Sequence, residues 1–125
     1  MSKQSKPSIP HFQDLDHRGF VEGLTYIDKK SQPLCHYFGG IPYALPPIGT
    51  FRWQKPRPLP ACYRYGTRAN PGKFTGGCGV CPQPDWGENK VDRSLFDENC
   101  LQVNVWIPVG EPPSGGENLD LFGAK

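Results

Sequence analysis

The stretch "FGGIPYALPPIGTFRW", Phe38 to Trp53, packs Pro42, Pro46, Pro47 and Gly49 into one short run. Between them stand Ile41, Tyr43, Leu45, Ile48, Phe51 and Trp53, all apolar. A flexible linker is rich in small polar residues and does not carry so many large side chains. The Pro46-Pro47 step removes backbone donors and excludes a helix. Each proline also pushes its predecessor out of the helical region. Residues 42–72 therefore read as a rigid, extended strap.

Working outward, "GFVEGLTYID" before the strap sets Phe20, Val21, Leu24, Tyr26 and Ile27 among glycines and polar residues. This predicts short strands with a bend at Gly23. "DKKSQP", Asp28 to Pro33, reads as a hairpin-type loop. "LCHYF", Leu34 to Phe38, reads as a second strand broken by Gly39-Gly40. After the strap, "GKFTGGCG" (residues 72–79) is a glycine-rich loop, and one short helical turn is expected within Asn89 to Phe96. "CLQVNVWIP", Cys100 to Pro108, is the best strand, with Leu101, Val103, Val105 and Ile107 alternating with Gln102, Asn104 and Trp106. Residues 1–10 read as a polar tail and 109–125 as a linker-like tail.

The 125 residues suffice for one domain, which at this size buries roughly two-thirds of the surface its unfolded chain exposes. Hydrophobic residues are only 36%, and the 15 glycines and 15 prolines approach the level of disordered chains. The 7 Phe, 5 Tyr and 3 Trp argue the other way. An ordered, loop-rich chain that needs further protein to pack against fits both. A net charge of +2 is too balanced to imply nucleic acid. No run reaches the ~20 apolar residues of a membrane helix, and "MSKQSKPSIPHF" has no signal-peptide core. The chain as it stands is expected in the cytoplasm; a different true start would make secretion the expectation.

Chemistry-bearing residues are sparse. Cys78 and Cys81 in "CGVC" have the spacing of a zinc half-site or redox pair. Cys35, Cys62 and Cys100 are single and distant, and His11, His17 and His36 show no ligand spacing. A redox motif wants a following helix, where this chain has glycines and prolines. Ordinary buried thiols, or one disulfide with odd cysteines left over, is the plainer reading. No serine lies in G-x-S-x-G, the elbow that exposes a nucleophilic hydroxyl, and no phosphate-binding loop is present. The residues alone supply no catalytic, cofactor-binding or metal set, and no cofactor is expected.

The strap nonetheless resembles a known family. Gly19, Val21 and Gly23 match the G-x-V-x-G that opens type-B carboxylesterases, the family of carboxylesterases, cholinesterases and fungal lipases. Phe38, Gly40, Ile41, Pro42, Tyr43, Ala44, Pro46, Pro47, Gly49, Arg52 and Pro56 match F-x-G-I-P-Y-A-x-P-P-x-G-x-x-R-F-x-x-P, with Trp53 in place of the usual Phe. "CPQ", Cys81 to Gln83, and "ENCLQVNVWIP", Glu98 to Pro108, match a second block, with Asn99 where Asp is usual. Order and spacing agree from Gly19 to Pro108.

The resemblance implies an α/β fold: the N-terminal fragment of an α/β-hydrolase, mostly short antiparallel strands and Pro/Gly-rich loops, over residues 11–108. It implies a serine esterase acting on carboxylic esters, with ester substrate bound only by a full-length form. The family's H-G-G-type loop, serine, acid and histidine have no match in these residues. The chain is thus expected to be truncated, inactive alone, and dependent on the rest of the hydrolase domain for packing. "LQVNVWI" becomes a central-sheet strand, in which Trp106 fits if helices cover both faces. Two structural pairs are also implied: a disulfide between Cys81 and Cys100, and a salt bridge between Arg52 and Glu98. The alternatives are a noncatalytic interaction protein on the same scaffold and a small zinc-binding module using Cys78 and Cys81.

Overall fold

A computed structural model describes residues 6–110. Its strands are β1 (Ser8–Asp14), β2 (Phe20–Ile27), β3 (Pro33–Pro42), β4 (Gly72–Lys73) and β5 (Gln102–Pro108), with three single 3₁₀ turns and no α-helix among the described residues. The main sheet runs β1-β2-β3-β5, antiparallel throughout, and β4 pairs with β2 in parallel. The β2–β3 connection is the hairpin loop read from "DKKSQP". The Asp28 carboxylate caps it by accepting from the Lys30 and Gln32 amides at 2.7 and 2.9 Å.

Four sequence expectations change. Ser8–Pro10, expected in a polar tail, begin β1, which pairs residue for residue with β2 from Ser8–Tyr26 to Asp14–Phe20. Pro10 is tolerated because an edge strand leaves half its amides outside the ladder. Gly23 is no bend. It lies inside β2 opposite His11, and a Cβ there would meet the Tyr37 carbonyl and the Phe38 ring. The residue is glycine because the neighbouring strand passes too close for a side chain.

Gly39-Gly40 likewise does not end a strand. β3 continues to Pro42 through a bulge between Phe38 and Ile41, with Gly40 at φ +76°. There β2 and β3 part, and the segment starting at β4 fills the gap. The Phe74 amide donates to Glu22 and its carbonyl accepts from Gly39, at 2.8 and 2.9 Å. The expected glycine-rich loop is therefore a wedge in the sheet.

The fourth change concerns the strap. The resemblance makes its apolar side chains anchors for further protein, and here they stand largely in the open: Tyr43, Ile48, Phe51 and Trp53 are exposed, and Ala44 is buried. Polar contacts hold the strap instead. The Tyr65 hydroxyl donates to the Pro42 carbonyl at 2.7 Å. Arg18 Nη1 donates to the Pro60 and Tyr63 carbonyls at 2.7 and 3.2 Å. Arg57 lies 3.3 Å over the Phe51 ring and donates to the Pro46 carbonyl. Prolines lack N–H donors but keep their carbonyls, so arginine forks are suitable partners for such a segment.

The core is small: Val21, Tyr37, Phe38, Ala44 and the polar Thr25. One sheet face carries Val21, Phe38, Ile41, Val105 and Ile107, which with Gln13 and Leu15 line an open groove of about 150 Å³. On the other face Tyr37 packs between Tyr26 and Trp106, with ring centroids at 5.9 and 5.0 Å. Burial raises the Tyr37 phenol above its ordinary pKa, and its hydroxyl donates to the Gly76 carbonyl.

Candidate functional site

The strap and the loop before β5 meet around Arg52. The 3₁₀ turn Gly49–Phe51 ends at Arg52, whose backbone returns to an extended conformation. Across from it, the Asp97 amide donates to Val80 at 2.9 Å, and the Asp97 carboxylate accepts from the Asn99 amide at 2.9 Å. These bonds present Glu98 toward the strap. Arg52 Nε lies 2.6 Å from Glu98 Oε1, with the two side chains 54% and 43% exposed. A disulfide joins Cys81 to Cys100, with Cα atoms 5.2 Å apart. The structure thus brings together all four residues of the two implied pairs. Arg52, Glu98 and Cys100 line one open groove of about 220 Å³ with Pro47, Trp53 and Pro82.

Cys78 stands apart from this bond. Its thiol lies 3.1 Å from Asn104 Oδ1, a position in the middle of β5. The same oxygen accepts from the Gly40 amide at 2.9 Å. Gln102 Oε1 accepts from the Gly79 amide at 3.0 Å, and its Nε2 donates to the Asn99 carbonyl. Residues 78–81 therefore run beside β5, with Cys78 at Asn104 and Cys81 at Cys100. The C-x-x-C is stretched along a strand and does not converge on one point. Its Cys81 is bonded to Cys100, so the pair offers no two-thiolate half-site. Among the described residues no three His, Cys, Asp or Glu side chains are placed to share a metal ion.

Two arrangements were not legible in the sequence. Gln102 and Asn104 read as solvent-facing alternates, yet they tie the Gly77–Gly79 loop and the β3 bulge to β5. His11 and His36 stack with ring centroids 3.7 Å apart and planes 10° from parallel. Their separation of 25 positions gives no periodic signal. Only the β1–β2–β3 register, with His11 opposite Gly23 and His36 opposite Thr25, puts them together.

Chemically, the arrangement braces. The groove holds a guanidinium, the carboxylate paired with it and a disulfide, and among the described residues no serine, free thiol or histidine lines it. The carboxylesterase family profile matches residues 12–118. A carboxylic ester hydrolase of Gibberella moniliformis is 53% identical over 98 residues, covering 78% of this chain and 18% of that protein. An uncharacterised esterase/lipase of Schizosaccharomyces pombe is 40% identical over 113 residues, covering 87% and 20%. The cholinesterase of Mus musculus is 34% identical over 99 residues, covering 69% and 15%. Among solved structures, a PNB esterase aligns at TM-score 0.45 and 28% identity over 70% of this chain and 16% of that one. The chain spans about a fifth or less of the length of the curated relatives it matches. The main sheet is antiparallel, as the resemblance to an α/β-hydrolase implied for this region. The chain belongs to the carboxylesterase family.

Proposed function

We propose that residues 11–108 form the N-terminal part of a carboxylic-ester hydrolase, a scaffold against which a nucleophile-bearing region packs. The observation that carries this is the 53% identity, over 98 residues, to a protein named carboxylic ester hydrolase. The geometry supports it, since a braced strap with exposed apolar side chains needs a partner surface. Acyl transfer through a serine needs a nucleophile, a base and an oxyanion hole together, and these 125 residues contain no G-x-S-x-G. They are proposed to be inert alone and to act on esters only as part of a larger hydrolase.

A segment exchange tests the reading. The matched segment of the Gibberella moniliformis relative is replaced by that of this chain, and hydrolysis of a p-nitrophenyl ester is followed. The chimera is expected to turn the ester over, while the 125 residues alone run at the buffer rate. A soluble, folded chimera without activity counts against the proposal. So does organophosphate-sensitive turnover by the 125 residues alone.

A further inference from the structure

Outside the braced groove, the described residues hold one cluster of titratable groups with no role in the scaffold: the stacked His11 and His36. His11 sits on the edge strand β1 and His36 on β3, so the stack crosses β2 at Gly23, the position with no side chain to keep the rings apart. The Phe38 ring meets His11 edge-on, with centroids 5.9 Å apart. Thr25 Oγ1 lies 2.8 Å from His36 Nδ1. His11 Nε2 is buried with no hydrogen-bond partner.

We propose that this pair is an acid-sensitive latch, which holds β1 on the sheet while both rings are neutral and releases it when both are protonated. Two neutral imidazoles stack favourably, whereas two imidazolium ions at 3.7 Å repel each other. His11 Nε2 has no hydrogen-bond partner among the described residues, and an unpaired polar atom away from water is costly.

Among the described residues, no carboxylate of the sheet strands faces the stack. On the face that carries the stack, β1 contributes Gln13, β2 contributes Val21 and Thr25, and β5 contributes Val105 and Ile107. The titratable groups of these strands (Asp14, Glu22, Tyr26, Cys35 and Tyr37) alternate onto the other face. Consistent with this, burial first and His11 second hold His36 below the ordinary imidazole pKa. The sign follows: the unfolded chain binds a proton that the folded state refuses. The stabilisation is complete above about pH 6.5 and is lost as pH falls from there through the lower folded value. β1 is the element released because it is an edge strand, paired in the sheet with β2 alone.

Hydrogen exchange on the full chain, read by mass spectrometry over residues 8–14 and corrected for intrinsic rates, tests this at about pH 7.5 and about pH 5. Protection of β1 is expected to fall severalfold at the lower pH, while β3 and β5 keep theirs. The variant His11→Phe, which keeps a ring in the stack, is expected to show no such loss. His36→Gln, which keeps a polar partner for Thr25, should also lose the pH dependence. Equal β1 protection at both pH values, or none at either, overturns the latch. So does an undiminished loss in both variants.

Discussion

At the scale of single residues, geometry decides what each position is worth. Arg52 lies between Phe51 and Trp53, and a buried guanidinium there would need its carboxylate at any cost. The pair is about half exposed, so solvent screens it. A double-mutant cycle with Arg52→Ala and Glu98→Ala should give a coupling of at most about 1 kcal/mol. A coupling of several kcal/mol would mean that further protein buries the pair. Gly23 carries more energy than the ion pair. A Cβ there would lie 2.6 Å from Phe38 Cδ1 as well as against the Tyr37 backbone, and backbone cannot step aside. Gly23→Ala should cost about 1–3 kcal/mol, the usual range for forcing atoms into a packed site, read as a lower urea midpoint. The motif glycine was legible as important, but its reason was not. Sequence shows that a residue lacks a side chain, whereas the strand that forbids one comes from 14 positions away.

At the scale of elements, the strands rich in apolar residues could be read and the edge could not. β5 announces itself because it alternates, and β2 is legible from its β-branched and aromatic residues. β1 does not, since "SIPHFQD" carries a proline and no alternation, and its pairing rests on the backbone ladder with β2. The same blindness hid the work of Asn104. Period-2 logic sends it to solvent, but the β3 bulge and the Cys78 loop bring two donors onto its side-chain oxygen. Asn104→Leu leaves the Gly40 amide without its acceptor, and about 1–3 kcal/mol should be lost. Asn104→Asp keeps an acceptor and should lose less. The disulfide acts on the next loop. Closing Cys81 to Cys100 across 19 positions should stabilise by roughly 3 kcal/mol in the chain-entropy picture. Cys100→Ser should remove that amount in non-reducing conditions only. Non-reducing peptide mapping of oxidised protein should recover Cys81 joined to Cys100. Thiols reduced in vivo agree with the cytoplasmic expectation, and a pair oxidised in vivo overturns it. Recovery of Cys78 joined to Cys81 would contradict the placement of Cys78 beside Asn104.

At the scale of the whole molecule, the features that identify the family are those the fold leaves incompletely covered. The strap motif was legible because it is rich in large apolar residues and prolines, and those side chains stand exposed on the described chain. The apolar sheet face repeats the pattern. Val103 and Ile107 are 41% and 45% exposed, and Val105 and Ile107 line the groove on that face. Periodicity told which residues belong to a core, but not whether the rest of that core lies within the same residues. β5 is also an outer strand of the described sheet, so its free backbone edge adjoins the apolar face. An unpaired edge next to uncovered apolar surface is a template for association. The 125 residues alone should therefore self-associate as their concentration rises toward about 100 μM, a range in which exposed strands aggregate. Ile107→Lys puts a charge at the junction of face and edge, the device by which native edge strands avoid pairing. Because the side chain is nearly half exposed, the substitution should cost little in folding and much in association. Sedimentation velocity decides it: the parent chain should shift to larger species with concentration while Ile107→Lys stays monomeric. A parent chain that stays monomeric throughout would mean that this face is content in water, and the packing surface proposed for the rest of the hydrolase would have to lie elsewhere.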